Sequence, residues 1–98
     1  MVFMQHRIDI YLGGDNNSKK INKSYLSKIE EWASAIFPNG YTILQGRGYY
    51  NGASEDSVII NVFSNRLPDL SSQLELLKRK LMQDAILLVH SPVQLEVL

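Results

Sequence analysis

The stretch from Gly40 to Phe63 constrains the fold most, because it ends in a run that is apolar on both faces of a strand. In this run Val58, Ile60 and Val62 alternate with Ile59, Asn61 and Phe63. Such a strand usually lies inside a sheet, with a neighbour on each side. Residues 41–50 predict a partner strand, and Gly52 with the polar residues after it, to Asp56, predicts the turn between them. We therefore expect a hairpin at the centre of the fold and a candidate site at its turn.

The segments before the hairpin predict one strand and one helix. Residues 7–12 alternate between apolar and polar side chains, as in a half-buried strand. A helix should follow from Lys23 to about Phe37, with Asn22 as its N-cap and Pro38 just beyond its end. Its apolar stripe recurs at helical spacing and contains Tyr25, Ile29, Trp32 and Ile36.

The segments after the hairpin predict a second helix and a last strand. Leucines recur at helical spacing from Leu70 to Leu81, with Asp69 as the expected cap and a basic triplet at the C-terminal end. Residues 85–89 form an apolar run typical of a strand. Pro92 cannot donate to a ladder, so it predicts a bulge, a turn or an edge, and the alternation after it allows a short extra C-terminal strand.

The predicted element order is that of a ferredoxin-like α+β sandwich. A βαββαβ chain with two right-handed crossovers gives an antiparallel sheet with two helices on one face and the first and third strands at its centre. We expect residues 1–98 to form this single domain. The other face would carry Tyr11, Ile59, Phe63 and apolar residues from the last strand, more apolar surface than a soluble monomer normally leaves in water. We therefore expect a homo-oligomer, either a dimer or a trimer.

Composition excludes several classes of function. Ten basic and ten acidic residues cancel, so there is no electrostatic footprint for nucleic acid and no attraction to a membrane surface. The chain has no cysteine, which excludes disulfides and thiolate chemistry and fits a reducing compartment. No apolar run approaches the roughly 20 residues that span a bilayer. The first residues lack the apolar segment of a signal peptide, so we expect a cytoplasmic protein.

Four residues are candidates for ligand binding: Arg47, Tyr49, Tyr50 and His90. Arg47 lies between Gly46 and Gly48 and could grip a carboxylate or phosphate with two hydrogen bonds. The tyrosines could stack on a ligand, and His90 could serve in acid–base chemistry. Taken singly, the residue types favour structural roles: a surface arginine at a bulge, tyrosines packed across the sheet or an interface, and a strand-end histidine.

Other constellations are weaker. His6 and His90 are the two histidines of the chain, and without a carboxylate partner they make a weak metal signal, so we predict no metal site, no cofactor and no catalytic residue. The glycine-rich segment from Gly13 to Lys20 lies between a strand and a helix but lacks the spacing of a phosphate loop. Its backbone N–H groups could still hold an anion.

Three segments resemble a small bacterial family of unknown function: residues 37–44, 46–50 and 83–89. The run Tyr49–Gly52, followed by residues 55–60, also resembles CutA-type and PII-type proteins. That resemblance implies a ferredoxin-like trimer. PII-type proteins bind nucleotides and other small effectors between subunits, and CutA-type proteins are linked to metal tolerance. The turn here is far shorter than a PII signalling loop, and no PII nucleotide-binding residue can be matched position by position, so the resemblance carries over no site.

Three functions are compatible with these patterns. The first is a non-enzymatic, oligomeric binding or regulatory module that takes a small anionic ligand near the 46–56 turn. The second is an enzyme built as a dimeric α+β barrel, in which two open sheets enclose an apolar pocket and His90 or Tyr11 performs chemistry. The third is a structural assembly subunit. Whether the chain is an enzyme stays open, and we favour the binding module.

Overall fold

The computed structural model describes the backbone of residues 2–98 and the side chains of residues 5–98. Its four strands and two helices follow the predicted order. In chain order they are β1 (Val2–Gly13), α1 (Lys23–Ile36), β2 (Thr42–Tyr50), β3 (Ala53–Ser64), α2 (Ser71–Lys80) and β4 (Leu87–Glu96).

The strands form one antiparallel sheet in the order β2-β3-β1-β4. The two central strands are therefore β1 and β3, as predicted from the βαββαβ order, and the two-sided apolar run of residues 58–63 lies in β3. Both helices pack on one face, which we call the helix face, and the other is the open face. This arrangement confirms the ferredoxin-like α+β fold.

The core lies between the helix face and the two helices. Alternate residues of the central strands point into it, as the period of two requires. Ile8, Ile10, Val58 and Ile60 are fully buried there against Ile29 and Leu77 of the helices. Trp32, Ile36 and Leu74 are half-buried at the border of this core.

Local interactions fix the ends and the mutual packing of the helices. The Asn22 side chain accepts a hydrogen bond of 2.9 Å from the backbone N–H of Tyr25, which confirms it as the cap of α1. The Trp32 indole donates to the backbone carbonyl of Gln73 at 3.0 Å and ties α1 to the start of α2. Leu70 occupies the cap position of α2 without a side-chain hydrogen bond, so the prediction of Asp69 as that cap is wrong. The Asp69 carboxylate accepts instead from the backbone N–H and the hydroxyl of Ser71.

The hairpin turn is shorter than predicted. Tyr50 pairs with Ala53, so only Asn51 and Gly52 form the turn, both with positive φ. An Asn-Gly pair favours a two-residue turn whose twist matches that of the strands. The polar residues of 53–56 belong to β3, and the predicted turn is in fact the tip of a two-stranded ribbon.

The last strand also differs from its prediction. Residues 87–96 pair with β1 without interruption, through Pro92 opposite His6. The segment expected as a short extra strand is therefore the second half of β4. A proline is tolerated because β4 is an edge strand, where every second N–H has no ladder partner to lose.

Candidate functional site

The sheet register assigns the candidate residues of the hairpin to different faces. Arg47 lies opposite Asp56, and Tyr49 lies opposite Ser54. Both pairs share the face of Ile43 and Ile60, which is the helix face. Tyr50 points to the other side, so only one of the two tyrosines shares a face with Arg47. The pairing from residue 46 to residue 48 is continuous, which contradicts the bulge that was one interpretation of this segment.

A cleft of about 240 Å³ lies beside Arg47. It separates the hairpin ribbon from the loop that follows β1. The residues that line it are Ser18, Lys19, Lys20, Arg47, Ser54, Glu55 and Asp56. The structure thus brings the hairpin candidate together with the glycine-rich loop, which sequence reasoning had considered separately. Their proximity follows from the topology, because β1 ends beside the first residues of β3.

The loop after β1 is held closed by the Asp15 side chain. One oxygen of this carboxylate accepts from the backbone N–H groups of Asn17 and Ser18, at 2.9 and 3.0 Å. These hydrogen bonds, together with the nearby charge of Lys19, hold the pKa of Asp15 below its ordinary value. Because the two N–H groups already have an anionic partner, a ligand anion would have to bind through side chains of this loop.

The same loop is tied to the hairpin by Asp56. The Asp56 carboxylate accepts from the backbone N–H of Ile21 at 2.9 Å, and the Asp56 backbone N–H donates to the carbonyl of Lys19. Lys19 has a φ of 62°, in the left-handed region. A Cβ at Gly14 would lie 2.8 Å from the Lys19 backbone, so only glycine permits this close turn. The backbone of residues 19–21 is therefore held against β3, the strand that pairs with the strand of Arg47.

The cleft carries three cations that are free of ion pairs within the described part of the chain: Lys19, Lys20 and Arg47. Arg47 is exposed, and its guanidinium has no hydrogen-bond partner among these residues either. Asp56 is occupied with Ile21, and the Glu55 carboxylate lies close to Gly13, on the open face. The lining therefore carries three cationic residues and two acidic ones, and the Asp56 carboxylate already has a backbone N–H partner.

His90 lies on β4, the edge strand opposite to the edge strand β2 that carries Arg47. It pairs with Ile8 in β4, and its ring contacts that of His6. It therefore shares no surface with Arg47, Tyr49 or Tyr50 within one chain. The role of all four residues in ligand binding stays a prediction.

A larger cavity of about 580 Å³ was not predicted from the sequence. It lies between the loop after α1, the end of β3 and the start of α2, and Asn39, Ser64, Arg66 and Asp69 contribute polar groups to it. The two loops rich in Pro, Asn and Gly at residues 38–40 and 65–68 are the only sequence signal for it. Arg66 and Asp69 give it one charge of each sign, so it lacks the cationic character of the cleft at Arg47.

Two features are absent from residues 2–98. In this part of the chain no three potential metal-ligating side chains of His, Cys, Asp or Glu meet. Neither helix within it has the length and apolarity to cross a bilayer.

The likeness to known proteins is one of structure. No family model matches the sequence, and no curated protein does. CPII, a nitrogen regulatory PII-like protein from Thiomonas intermedia K12 solved with ADP, AMP and bicarbonate, superposes with a TM-score of 0.61 at 12% identity, covering 99% of this chain and 98% of that one. This chain has the fold of PII-like proteins. The PII part of the predicted resemblance is thus supported at the level of fold, while the likenesses to CutA-type proteins and to the small bacterial family stay predictions.

A phage SAM lyase has the same fold. Its complex with S-methyl-5′-thioadenosine superposes with a TM-score of 0.57 at 15% identity, covering 95% of this chain and 90% of the lyase. Its apo form gives a TM-score of 0.59 at 11% identity, with coverages of 91% and 81%. The PII-like fold is therefore found both in a regulatory protein and in an enzyme.

Proposed function

We propose that this protein is a small binding or regulatory module that takes an anionic ligand in the cleft at Arg47. The observation that carries the proposal is the unpaired Arg47 guanidinium beside Lys19 and Lys20. A guanidinium without a partner is ready to form two parallel hydrogen bonds to a carboxylate or phosphate. The loop–hairpin contacts through Asp56 hold the backbone that carries Lys19 and Lys20 beside the hairpin before the ligand arrives, which lowers the cost of ordering this loop on binding.

The ligand class that we favour contains adenosine and a phosphate or carboxylate. CPII has been solved with ADP, AMP and bicarbonate, and the lyase with S-methyl-5′-thioadenosine. The cleft of about 240 Å³ is smaller than a typical ligand pocket, so it would enclose the anionic group alone. Tyr49, exposed on the same face as Arg47, supplies an aromatic surface for a base outside the cleft.

Titration of the protein with ADP, AMP and bicarbonate by calorimetry tests this proposal. Replacing Arg47 by Ala should weaken binding by about 1.5–3 kcal/mol, which corresponds to roughly 10- to 150-fold, because one charged hydrogen-bonding group is lost. Arg66→Ala is the matched control, since Arg66 is an exposed arginine that lines the other cavity. Equal affinity of the Arg47→Ala variant and the native protein would contradict the proposal.

The barrel enzyme is the alternative that the lyase likeness favours. In such a dimer the open faces of two sheets enclose the pocket, and Tyr11 is on that face. His90 pairs with Ile8 and so lies on the helix face, which removes it from a pocket between sheets. Incubation with SAM and chromatography of the products tests this alternative: formation of S-methyl-5′-thioadenosine that depends on Tyr11 would favour the enzyme over the binding module.

The assembly and location of the protein form part of the proposal. We infer a homo-oligomer, dimer or trimer, in the cytoplasm, with no nucleic-acid or membrane partner. The exposed apolar residues of the open face support self-association. A purely structural subunit stays as the third hypothesis, and failure of every adenosine ligand and anion to bind would favour it.

A further inference from the structure

The two histidines of the chain form a contact across β1 and β4. His6 Nδ1 lies 2.9 Å from His90 Nε2, and the ring centroids are 5.0 Å apart. The register explains this contact, because His6 pairs with Pro92 and His90 pairs with Ile8, which makes the two histidines diagonal neighbours on one face. His6 is half-buried and His90 is exposed, so solvent reaches the pair.

The distance between the two nitrogen atoms fits either a hydrogen bond or chelation of one metal ion. As a hydrogen bond, it requires one ring to donate N–H and the other to offer its lone pair. As a metal chelate, it requires both lone pairs to face one ion. With metal–nitrogen bonds of about 2.0–2.1 Å, two ligands at a right angle are about 2.9 Å apart, and two ligands at a tetrahedral angle about 3.4 Å.

The geometry points to a two-histidine site for a divalent ion that prefers right-angled nitrogen ligands, of which Cu²⁺ and Ni²⁺ are the examples. The separation of the two nitrogens already matches the right-angled case, and binding requires the two rings to turn until both lone pairs converge on one ion. The remaining coordination positions are open to water, since no third His, Cys, Asp or Glu side chain of the described residues joins the pair. This site is independent of the cleft at Arg47, because it lies on β1 and β4, at the other side of the sheet from β2.

A calorimetric titration of the untagged protein with Ni²⁺ tests the inference. We expect one ion per pair of histidines, and we expect His6→Asn and His90→Asn each to weaken binding at least about tenfold, because the second bond of a chelate forms at high effective concentration. Gln94→Asn is the matched control: it changes an exposed polar residue of the same strand and leaves both rings in place. Mg²⁺, which prefers oxygen ligands, should not bind to this site.

A second measurement on the native protein covers the case in which a variant fails to fold. Bound Ni²⁺ should protect both histidines from modification by diethyl pyrocarbonate, and Mg²⁺ should not. Ni²⁺ affinity that is unchanged in both Asn variants would overturn the inference. So would the absence of Ni²⁺ binding or protection in the native protein, which would assign the contact to a hydrogen bond alone.

Discussion

The hydroxyl of Tyr25 donates a hydrogen bond of 2.7 Å to the backbone carbonyl of Gly13. Tyr25 belongs to the first turn of α1, and Gly13 is the last residue of β1. The same hydroxyl accepts from the Gln83 side chain at 2.9 Å, and Gln83 also donates to the carbonyl of Gly14. One buried tyrosine therefore joins the end of the first strand, the first helix and the segment after the second helix, directly beside the loop that lines the cleft at Arg47.

Replacing Tyr25 by Phe should lower the free energy of unfolding by about 1–2 kcal/mol, because it leaves the Gly13 carbonyl and one Gln83 N–H without their partner. The ring remains, so packing is kept and the effect is that of the hydroxyl alone. Chemical denaturation at pH 7 measures it. A difference from the native protein below about 0.3 kcal/mol would show that water satisfies these groups equally well.

The stability of the native protein should fall above pH 10. Burial raises the pKa of Tyr25 from 10.0 to about 12. Between these values the unfolded state has already lost the proton that the folded state retains, so the free energy of unfolding decreases as pH rises. Tyr25→Phe lacks this group and should show a shallower decline over the same range. Parallel declines of the two proteins would assign the alkaline loss to other residues.

Leu77 and Leu76 offer a matched pair on α2. The Leu77 side chain is fully buried, whereas the neighbouring Leu76 is 63% exposed. Leu77→Ala should cost about 2–5 kcal/mol of stability, because it removes packed methyl groups and leaves a cavity. Leu76→Ala makes the same chemical change in solvent and should alter stability by no more than about 0.5 kcal/mol. Denaturant midpoints of the two variants decide this, and equal losses would contradict the assigned helix face.

Variants of Tyr49 and Tyr50 test whether an aromatic ring stacks on the base of a bound nucleotide. Both are exposed, at 71% and 76%, but they lie on opposite faces of the hairpin. Tyr49→Ala should weaken the binding of ADP by about 1–2 kcal/mol if its ring stacks on the base, and Tyr50→Ala should leave affinity unchanged. Calorimetry with both variants and with bicarbonate is the measurement. Loss of bicarbonate affinity in Tyr49→Ala would argue against stacking, since that anion has no base.

The fold was predictable because alternation and helical spacing act locally and agree with each other. Residues 58–63 predict a central strand because they are apolar on both faces. Asn22 occupies the N-cap position that its residue type favours. The predicted ends of the strands were wrong where they were drawn from residue composition, because strand pairing decides where a strand ends. Residues 53–56 are polar but pair with β2, and Pro92 continues a strand because that strand is at an edge.

The cleft at Arg47 could be predicted only in part. Arg47 was recognisable from its place between two glycines. The presence of Lys19 and Lys20 beside it depends on a long-range contact between Asp56 and the backbone of residues 19–21. No local pattern encodes that contact. The pairing of His6 with His90 likewise depends on the register of strands at opposite ends of the chain, which alternation alone does not fix.

The open face predicts that the protein is not a monomer. The register aligns one apolar residue from each strand across the whole sheet, Leu44, Ile59, Tyr11 and Leu87, and Phe63 lies further along the same face. All of these except the half-buried Ile59 are exposed in the single chain. The C-terminal segment cannot cover them, because residues 93–96 lie in the sheet as part of β4.

Covering this row should be worth several kcal/mol, since burial of apolar surface contributes roughly 25 cal/mol per Å². That is a large share of the roughly 5–15 kcal/mol by which domains are stable, so a closed symmetric dimer or trimer should form at micromolar concentration. Light scattering of the native protein should give a mass of two or three chains of 11.2 kDa. Leu44→Glu places a charge in the row and should shift the mass toward one chain, whereas Leu67→Glu, at an exposed leucine outside the sheet, should not. A native mass near 11.2 kDa would refute the prediction, and an unchanged oligomer in Leu44→Glu would place the interface elsewhere.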